Sequence, residues 1–406
     1  MRIVGKPFKD LTLEKAVKLG VAIGSMAGGR GLVVSGRDHS RISRMLKRAI
    51  TAGVMSTGAD VMDFHESLTG EISFAMKRFG ARMGFMVTTD PVHGGVSIRL
   101  YRSPGYEILG RELEEVLSRL EGGVLQPQEV GWIYYAEYMH ELYVAAVSSF
   151  VKGDLISSRR LSVVVGPDIE PLSTVLKGLS RALSVNHVTI GGLMPVSKYP
   201  DLVLMEKLSK VSEALRTTCG VLLSHEGSSM VLYSSNLGFT MPEELLLIVL
   251  EKYSPGAKVA LLNPVSEPLV KVTRERGFDV IVVDDELEFQ RTVRRERPAV
   301  AFTWRGDSVT PVFSLGYDSI IMYAQVLEIV SEHSEVFEKV LSARRQLSTE
   351  LVSVEEAARV CSEKSLDVAM WGCRVQENGN LVTYVYQPTL GGFLKVVTRV
   401  AESTEE

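Results

Sequence analysis

Cysteine is scarce in this 406-residue chain. There are three, Cys219, Cys361 and Cys373, an odd number with no C-x-x-C spacing. That argues against a disulfide framework and against a zinc site, and leaves reduced, buried thiols as the expectation. Long apolar runs are also missing. No stretch approaches the roughly 20 residues that span a bilayer, and no apolar core follows a basic start as in a signal peptide. A cytoplasmic protein with no membrane partner is expected. There is no block of Lys or Arg, and the formal charge is −4, which argues against nucleic acid as a partner. Asn and Gln are sparse beside Val, Arg and Glu, a balance that points to a thermophile. No G-x-G-x-x-G follows a strand. The cluster Gly28-Gly29-Arg30-Gly31 precedes one and reads as a helix-to-strand turn, which counts against a dinucleotide site.

What is present is ordinary globular material, 45% hydrophobic and 23% charged, in a chain long enough for two to four domains at roughly 100–200 residues each. One unit recurs three times. GLVVSGRD (31–38) reads as a strand, Ile42 to Val54 carry a helical stripe, and ADVMDF (59–64) reads as a second strand. LSVVVGPD (161–168), the stripe Leu172 to Leu183 and NHVTI (186–190) repeat this order. So do KVALLNP (258–264), a short helix with Leu269, Val270 and Val272, and FDVIVVD (278–284). Near-continuous apolar strands alternating with helices mean parallel pairing covered on both faces.

The last sixty or so residues differ. Ala369–Gln376, Leu381–Tyr386 and Phe393–Val400 read as strands, with the hairpin signal Asn378-Gly379 between the first two and a helix near 354–361. Thr240 with Glu243, and Ser353 with Glu356, read as capping boxes. Glu402 to Glu406 read as a frayed tail. The expected fold is α/β: three tandem mixed α/β/α domains, residues 1–150, 151–254 and 255–344, then a small α+β domain, 345–406, around a central cleft.

This order resembles the α-D-phosphohexomutases, the phosphomannomutase/phosphoglucomutase superfamily. The residue-level match lies in the first domain. LTLEKAVKLGVAIG looks like the family's first helix, and VVSGRDHSRISRMLKRAITAGVMSTGADVMDF looks like its opening strand, G-R-D-x-R turn, helix and strand. Gly36, Arg37, Asp38 and Arg41 match the turn. The resemblance implies carbohydrate metabolism, an isomerase-class phosphoryl transfer on a hexose phosphate, and four loops meeting in the cleft.

Each loop departs from the family pattern. Where the family has T-A-S-H-N-P, this chain has Thr88-Thr89-Asp90-Pro91-Val92, with Asp90 at the phosphoserine position; Ser97-Ile98-Arg99 stands for Gly-Ile-Lys. Asp90 is open to three readings: an acyl-phosphate acceptor, a partial mimic of phosphoserine charge, or an aspartate capping a turn. The metal loop D-G-D-A-D-R reads Ser224-His225-Glu226-Gly227-Ser228-Ser229. Glu226 is its one carboxylate, Ser224 and Ser228 hold the other ligand positions, and His225 reads as a solvated loop residue. Mg²⁺ favours carboxylates with substrate phosphate, so Asp90 and Glu226 leave only a weak Mg²⁺ site. The sugar loop G-E-x-S-G-H reads Thr303 to Ser308. Trp304 is there to stack on a ring or to pack between domains, and Arg305 to pair with an anion. Asp318 reads as a helix N-cap. The phosphate loop R-P-S-G-T-E-P reads VYQPTLGG. Gln387, Thr389 and the N–H groups of Gly391 and Gly392 form either an anion nest or a plain glycine turn, and Lys395 stands for a downstream arginine. The family's G-x-R-G appears as Gly5-Lys6-Pro7-Phe8, where Lys6 supplies charge without the planar fork.

The expected protein is therefore a phosphohexomutase-like pseudoenzyme. It either binds a hexose phosphate weakly or partners an active paralogue or itself. Two alternatives stand beside it: an active mutase or phosphatase using Asp90, and a pure interaction protein.

Overall fold

Strand, helix and strand follow one another through most of the chain in the computed structural model, which describes residues 2–90, 94–121, 129–191, 200–364 and 367–404. The chain divides into two units. The first is Met1–Val144 with Glu170–Val175 and Phe313–Tyr317; the second is Ala145–Ile169, Leu176–Val312 and Asp318–Glu406.

In the first unit the elements run β1 (Ile3–Gly5), α1 (Leu13–Ala27), β2 (Leu32–Arg37), α2 (Arg41–Met55), β3 (Asp60–Glu66), α3 (Thr69–Phe79), β4 (Met83–Thr89), β5 (Val96–Arg102), β6 (Tyr106–Glu107), α4 (Gly110–Ser118), β7 (Ile133–Tyr135) and α5 (Met139–Phe150). Seven strands form one sheet in the order β1-β5-β4-β2-β3-β7, with β6 on β5. The pairs β4–β2, β2–β3 and β3–β7 are parallel and the rest antiparallel. Thr12 caps α1 and Ser40 caps α2, each hydroxyl accepting an N–H from the first turn. Gly28, in the left-handed region at φ 77°, ends α1. The helices α1 and α2 cross where Gly20 meets Gly53, and a Cβ on either would strike the other helix's backbone. That approach seals Ile23, Leu46, Ile50 and Val54 against Val33, Phe85 and Val87 in one core.

The second unit continues with α6 (Gly153–Arg159), β8 (Ser162–Gly166), α7 (Leu172–Ala182), β9 (Asn186–Thr189), α8 (Leu202–Ala214), β10 (Cys219–Leu223), β11 (Met230–Ser234), β12 (Gly238–Phe239) and α9 (Pro242–Val249). Next come β13 (Lys258–Leu262), α10 (Glu267–Glu275), β14 (Asp279–Val283), α11 (Glu286–Glu296), β15 (Val300–Thr303), β16 (Ser308–Val309), α12 (Ser319–Glu332) and α13 (Val336–Arg344). The chain ends with β17 (Ser348–Val352), α14 (Val354–Lys364), β18 (Asp367–Ala369), β19 (Gly372–Glu377), β20 (Asn380–Gln387) and β21 (Gly392–Arg399).

The three expected repeats share one topology. The series β3-β2-β4-β5, β9-β8-β10-β11 and β14-β13-β15-β16 each begin with two parallel pairs and close with an antiparallel one. The last sheet, β17-β21-β20-β19-β18, is antiparallel throughout. Asn378 and Gly379 both take positive φ (51° and 79°) and join β19 to β20 in a tight hairpin.

Four expectations need correction. Cys361 and Cys373 form a disulfide, with Cα atoms 5.8 Å apart; α14 packs on β19 and brings them together, which their spacing could not reveal. The expected strand Ala369–Gln376 forms from Gly372 onward as β19, but Met370 and Trp371 turn the chain between β18 and β19, where Ala369 pairs with Gly372. The cap of α9 is one residue later than expected: Met241 N–H donates to Glu244, while Thr240 and Glu243 bond elsewhere. The tail is tied down as far as Thr404, whose N–H donates to the Val282 carbonyl at 2.8 Å and whose hydroxyl accepts from Val282 N–H. Glu405 and Glu406 lie outside the described residues. Among the described residues no helix is long and apolar enough to cross a membrane.

Candidate functional site

The loops with chemistry to offer leave the C-terminal ends of the strands next to each sheet's antiparallel edge. In the first unit that strand is β4. Asp38, buried at the end of β2, accepts from the Thr89 N–H (2.6 Å) and hydroxyl (2.8 Å) and from Ser40 N–H. The aspartate of the G-R-D turn thus clamps the residue before Asp90, a role the motif alone did not disclose. Asp90 itself is half-buried. Its N–H donates to the Gly95 carbonyl and its carbonyl accepts from Gly94, closing a turn. Pro91, Val92 and His93 lie outside the described residues.

The expected substrate cations of this unit are mostly committed to the protein. Arg37 is buried and donates to the Asp38 carbonyl (2.7 Å) and Glu66 (2.9 Å). Arg99 is buried, pairs with Glu107 at 3.1 Å and lies over the Tyr317 ring. Lys6 is exposed, with its backbone N–H on Asp10. Burial leaves each of the guanidinium groups of Arg37 and Arg99 needing a carboxylate, which Glu66 and Glu107 supply.

In the second unit the turns after β10 and β15 abut. Ser229 bridges Asp307, and Ser308 N–H donates to the Ser228 carbonyl. Ser224 Oγ accepts from the N–H groups of Ser228 and Ser229. Ser228 Oγ lies 3.1 Å from Glu226 and 2.9 Å from Asp307. Its one proton can serve only one carboxylate at a time. Thr303 Oγ1 donates to Asp307 at 3.1 Å, and Arg305 lies 3.6 Å from Asp307 and 3.7 Å from Glu286. His225 is buried, not solvated. Trp304 is buried beneath the Arg305 guanidinium, so its ring is not offered for stacking. Asp318 caps α12 as expected, accepting from Ile320 and Ile321 N–H.

The side chains of the phosphate loop also have partners within the protein. Gln387 is buried and grips Phe239, accepting from its N–H (3.1 Å) and donating to its carbonyl (3.0 Å). Gly391 N–H is spent on the Pro388 carbonyl, and Lys395 pairs with Glu350 at 3.0 Å. Thr389 is exposed on the turn. The segment is a short glycine turn between β20 and β21.

The magnesium that the family implies does not fit these side chains. The loop supplies one carboxylate, Asp307 brings a second, and both face the Ser228 hydroxyl. Among the described residues no three His, Cys, Asp or Glu side chains are placed to share an ion.

A cavity of about 340 Å³ does open in the first unit, at the strand ends of β2 and β3, between Arg37, His65, Glu66, Glu137 and His140. His140 Nδ1 meets the fully buried Glu71 at 2.6 Å. Burial pushes the imidazole pKa down, but the hydrogen bond and charge of Glu71, with Glu141 and Glu170, outweigh it and hold the pKa above 6.5. A raised folded-state pKa contributes stability fully below the unfolded value, and that stability is lost as pH rises through the folded value. Urea unfolding of the full chain should therefore show stability falling above pH ~6.5, and His140→Gln should flatten that slope. Identical pH profiles for the two proteins would refute the assignment.

Comparison with known proteins agrees with this architecture. Residues 2–123 match the family model "Phosphoglucomutase/phosphomannomutase, alpha/beta/alpha domain I". A Pyrococcus abyssi protein named "Probable phosphoglucosamine mutase" is 27% identical, over 79% of this chain and 73% of that one. A Thermococcus kodakarensis "Phosphoglucomutase/phosphomannomutase" is 26% identical, over 82% and 76%. The crystal structure of a phosphoglucomutase/phosphomannomutase family protein from Burkholderia thailandensis superposes with a TM-score of 0.75 at 18% identity, covering 99% of this chain and 92% of that one. Residues 2–123 thus match the family's first domain, and the chain as a whole is similar in sequence and in fold to phosphohexomutases.

Proposed function

We propose that this protein keeps the phosphohexomutase scaffold but does not interconvert hexose phosphates at a mutase's rate, and that it acts as a weak sugar-phosphate binder. The reading rests on one observation above the others. The metal-loop side chains Ser224, Glu226 and Ser228 are hydrogen-bonded among themselves and to Asp307, while Asp90 stands where the family has its serine.

Phosphoryl transfer depends on positioning and charge stabilisation. Losing one such interaction typically costs a factor of about 10²–10³. Here the nucleophile, the metal carboxylates and the phosphate-loop arginine differ together. Such losses do not simply add, yet jointly they remove most of the rate.

A coupled assay on glucose 1-phosphate, mannose 1-phosphate and glucosamine 1-phosphate with added Mg²⁺ is the test. Turnover should lie at least ~10³-fold below the 1–10³ s⁻¹ usual for enzymes. A rate inside that range ends the proposal. Mass spectrometry after incubation with a hexose 1,6-bisphosphate should find Asp90 unmodified, and a phosphorylated Asp90 would establish the competing acyl-phosphate enzyme. Weak binding should appear as a small rise in melting temperature at millimolar hexose phosphate.

A further inference from the structure

In the second unit β9 closes a sheet of order β12-β11-β10-β8-β9, and among the described residues no strand lies on its far side. It runs parallel to β8, from Asn186 beside Ser162 to Thr189 beside Val165. Asn186 N–H donates to the Leu161 carbonyl at 2.8 Å, and Ile190 N–H to the Val165 carbonyl at 2.9 Å. Residues 186, 188 and 190 therefore spend their backbone groups on β8, and alternation turns the N–H and C=O of His187 and Thr189 outward. The helix α7 lies beside this edge. Its Ser180 Oγ is 2.7 Å from His187 Nδ1. Its Lys177 Nζ is 3.6 Å from Asp168, which also accepts from Thr189 Oγ1 at 3.3 Å. A groove of about 460 Å³ opens between helix and strand, lined in part by Lys177, Ser180, Arg181, His187 and Thr189.

Charge and spacing decide what fits this groove. Two cations line it and, among the described residues, no Asp or Glu does. Arg181 is exposed and has no ion-pair partner among the described residues. The Lys177–Asp168 pair is more than a third exposed on both sides, so it holds Lys177 only weakly. The two cations are four residues apart on one helix, about 6 Å along its axis. Alternate residues of an extended strand share a face and lie about 6.8 Å apart. The geometry points to a docking site for an extended acidic peptide of another protein, added antiparallel to β9, with carboxylates at alternate positions meeting Lys177 and Arg181. In that register the peptide residues opposite His187 and Thr189 exchange both backbone bonds with them and turn their side chains to the α7 face. A glutamate opposite Thr189 meets Lys177, and one opposite His187 meets Arg181, a helical turn further on. Main-chain bonds supply affinity and the two cations supply selectivity. None of the loop residues compared above with the phosphohexomutases takes part.

Fluorescence anisotropy of a dye-labelled, end-capped Thr-Glu-Val-Glu-Val-Thr peptide with the full chain should show saturable binding at about 10–100 µM. The isomer Thr-Glu-Glu-Val-Val-Thr keeps charge and composition but loses the alternate spacing, and should bind about tenfold more weakly or worse. Methylating both glutamate amide nitrogens keeps the charge, removes the donors to β9, and should weaken binding by a similar factor. The double variant Lys177→Glu with Arg181→Glu should lose the glutamate peptide and take up Thr-Lys-Val-Lys-Val-Thr instead, a reversal that misfolding cannot produce. A parent that does not saturate by about 1 mM overturns the proposal. So does equal binding of the isomer or of the methylated peptide, or a double variant that ignores the lysine peptide. Displacement of the peptide by inorganic phosphate at equal concentration would make the groove a simple anion site and overturn it as well.

Discussion

Replacing Arg374 by alanine is expected to destabilise the second unit by about 3–5 kcal/mol, the cost of stranding a buried partner charge. Arg374 is fully buried on β19. Its Nη2 meets both Glu243 oxygens, at 2.8 and 2.6 Å, and its Nη1 donates to the Pro264 carbonyl at 2.5 Å. Glu243, in the first turn of α9, also accepts from Ser266 N–H at 2.8 Å. One ion pair thus ties the last sheet, α9 and the segment after β13. Without Arg374, Glu243 stays buried with a single donor. For a unit of this size the melting temperature should drop by at least ~6 °C. The double variant Arg374→Met with Glu243→Leu removes both charges and should recover most of that loss, because buried ion pairs often gain little over apolar packing. A single variant melting within ~2 °C of the parent would show the pair to be unimportant.

Reduction of the Cys361–Cys373 bond is the second large effect expected. A cross-link closing a loop of this length, 12 residues apart, restrains the unfolded chain by about 3 kcal/mol in the chain-entropy model. Denaturant midpoints with and without reductant measure it, and coincident midpoints would refute it. Thiol counting gives an independent check. Cys219 is fully buried and its thiol pKa is pushed up to about 12, so it is unreactive in the native protein. Unfolding without reductant should expose one thiol, and unfolding with reductant three. Three thiols without reductant would mean the bond is not formed. Disulfides are uncommon in cytoplasmic proteins outside hyperthermophiles, so the count bears on both the compartment and the source suggested by composition.

The candidate site was legible only as a set of positions. The loops could be found because each follows a strand, and strands are marked by local apolar runs. What their side chains do was not legible. Arg305 and Gln387 look like ligand-facing residues in the sequence, yet Arg305 lies against Asp307 and Glu286 and Gln387 grips the Phe239 backbone. Asp307 carries no local signal within Thr303 to Ser308, and it is central only because the turn holding it abuts Ser228 from another sheet. His140 and Glu71 are 69 residues apart in sequence, and nothing local couples them.

Local sequence alone determined the repeated strand–helix–strand units, the Asn378-Gly379 hairpin, and the helix caps at Asp318 and Ser353. Backbone torsion and side-chain periodicity act over a few residues, so these features carry their own signal. Tertiary structure alone decided the partners of the buried charges, the disulfide and the anchoring of the tail on β14. A buried charge takes whichever opposite charge the packed chain brings within reach, and a chain end docks on whichever strand lies beside it. Both outcomes depend on residues far away in sequence that meet only after the sheets have formed.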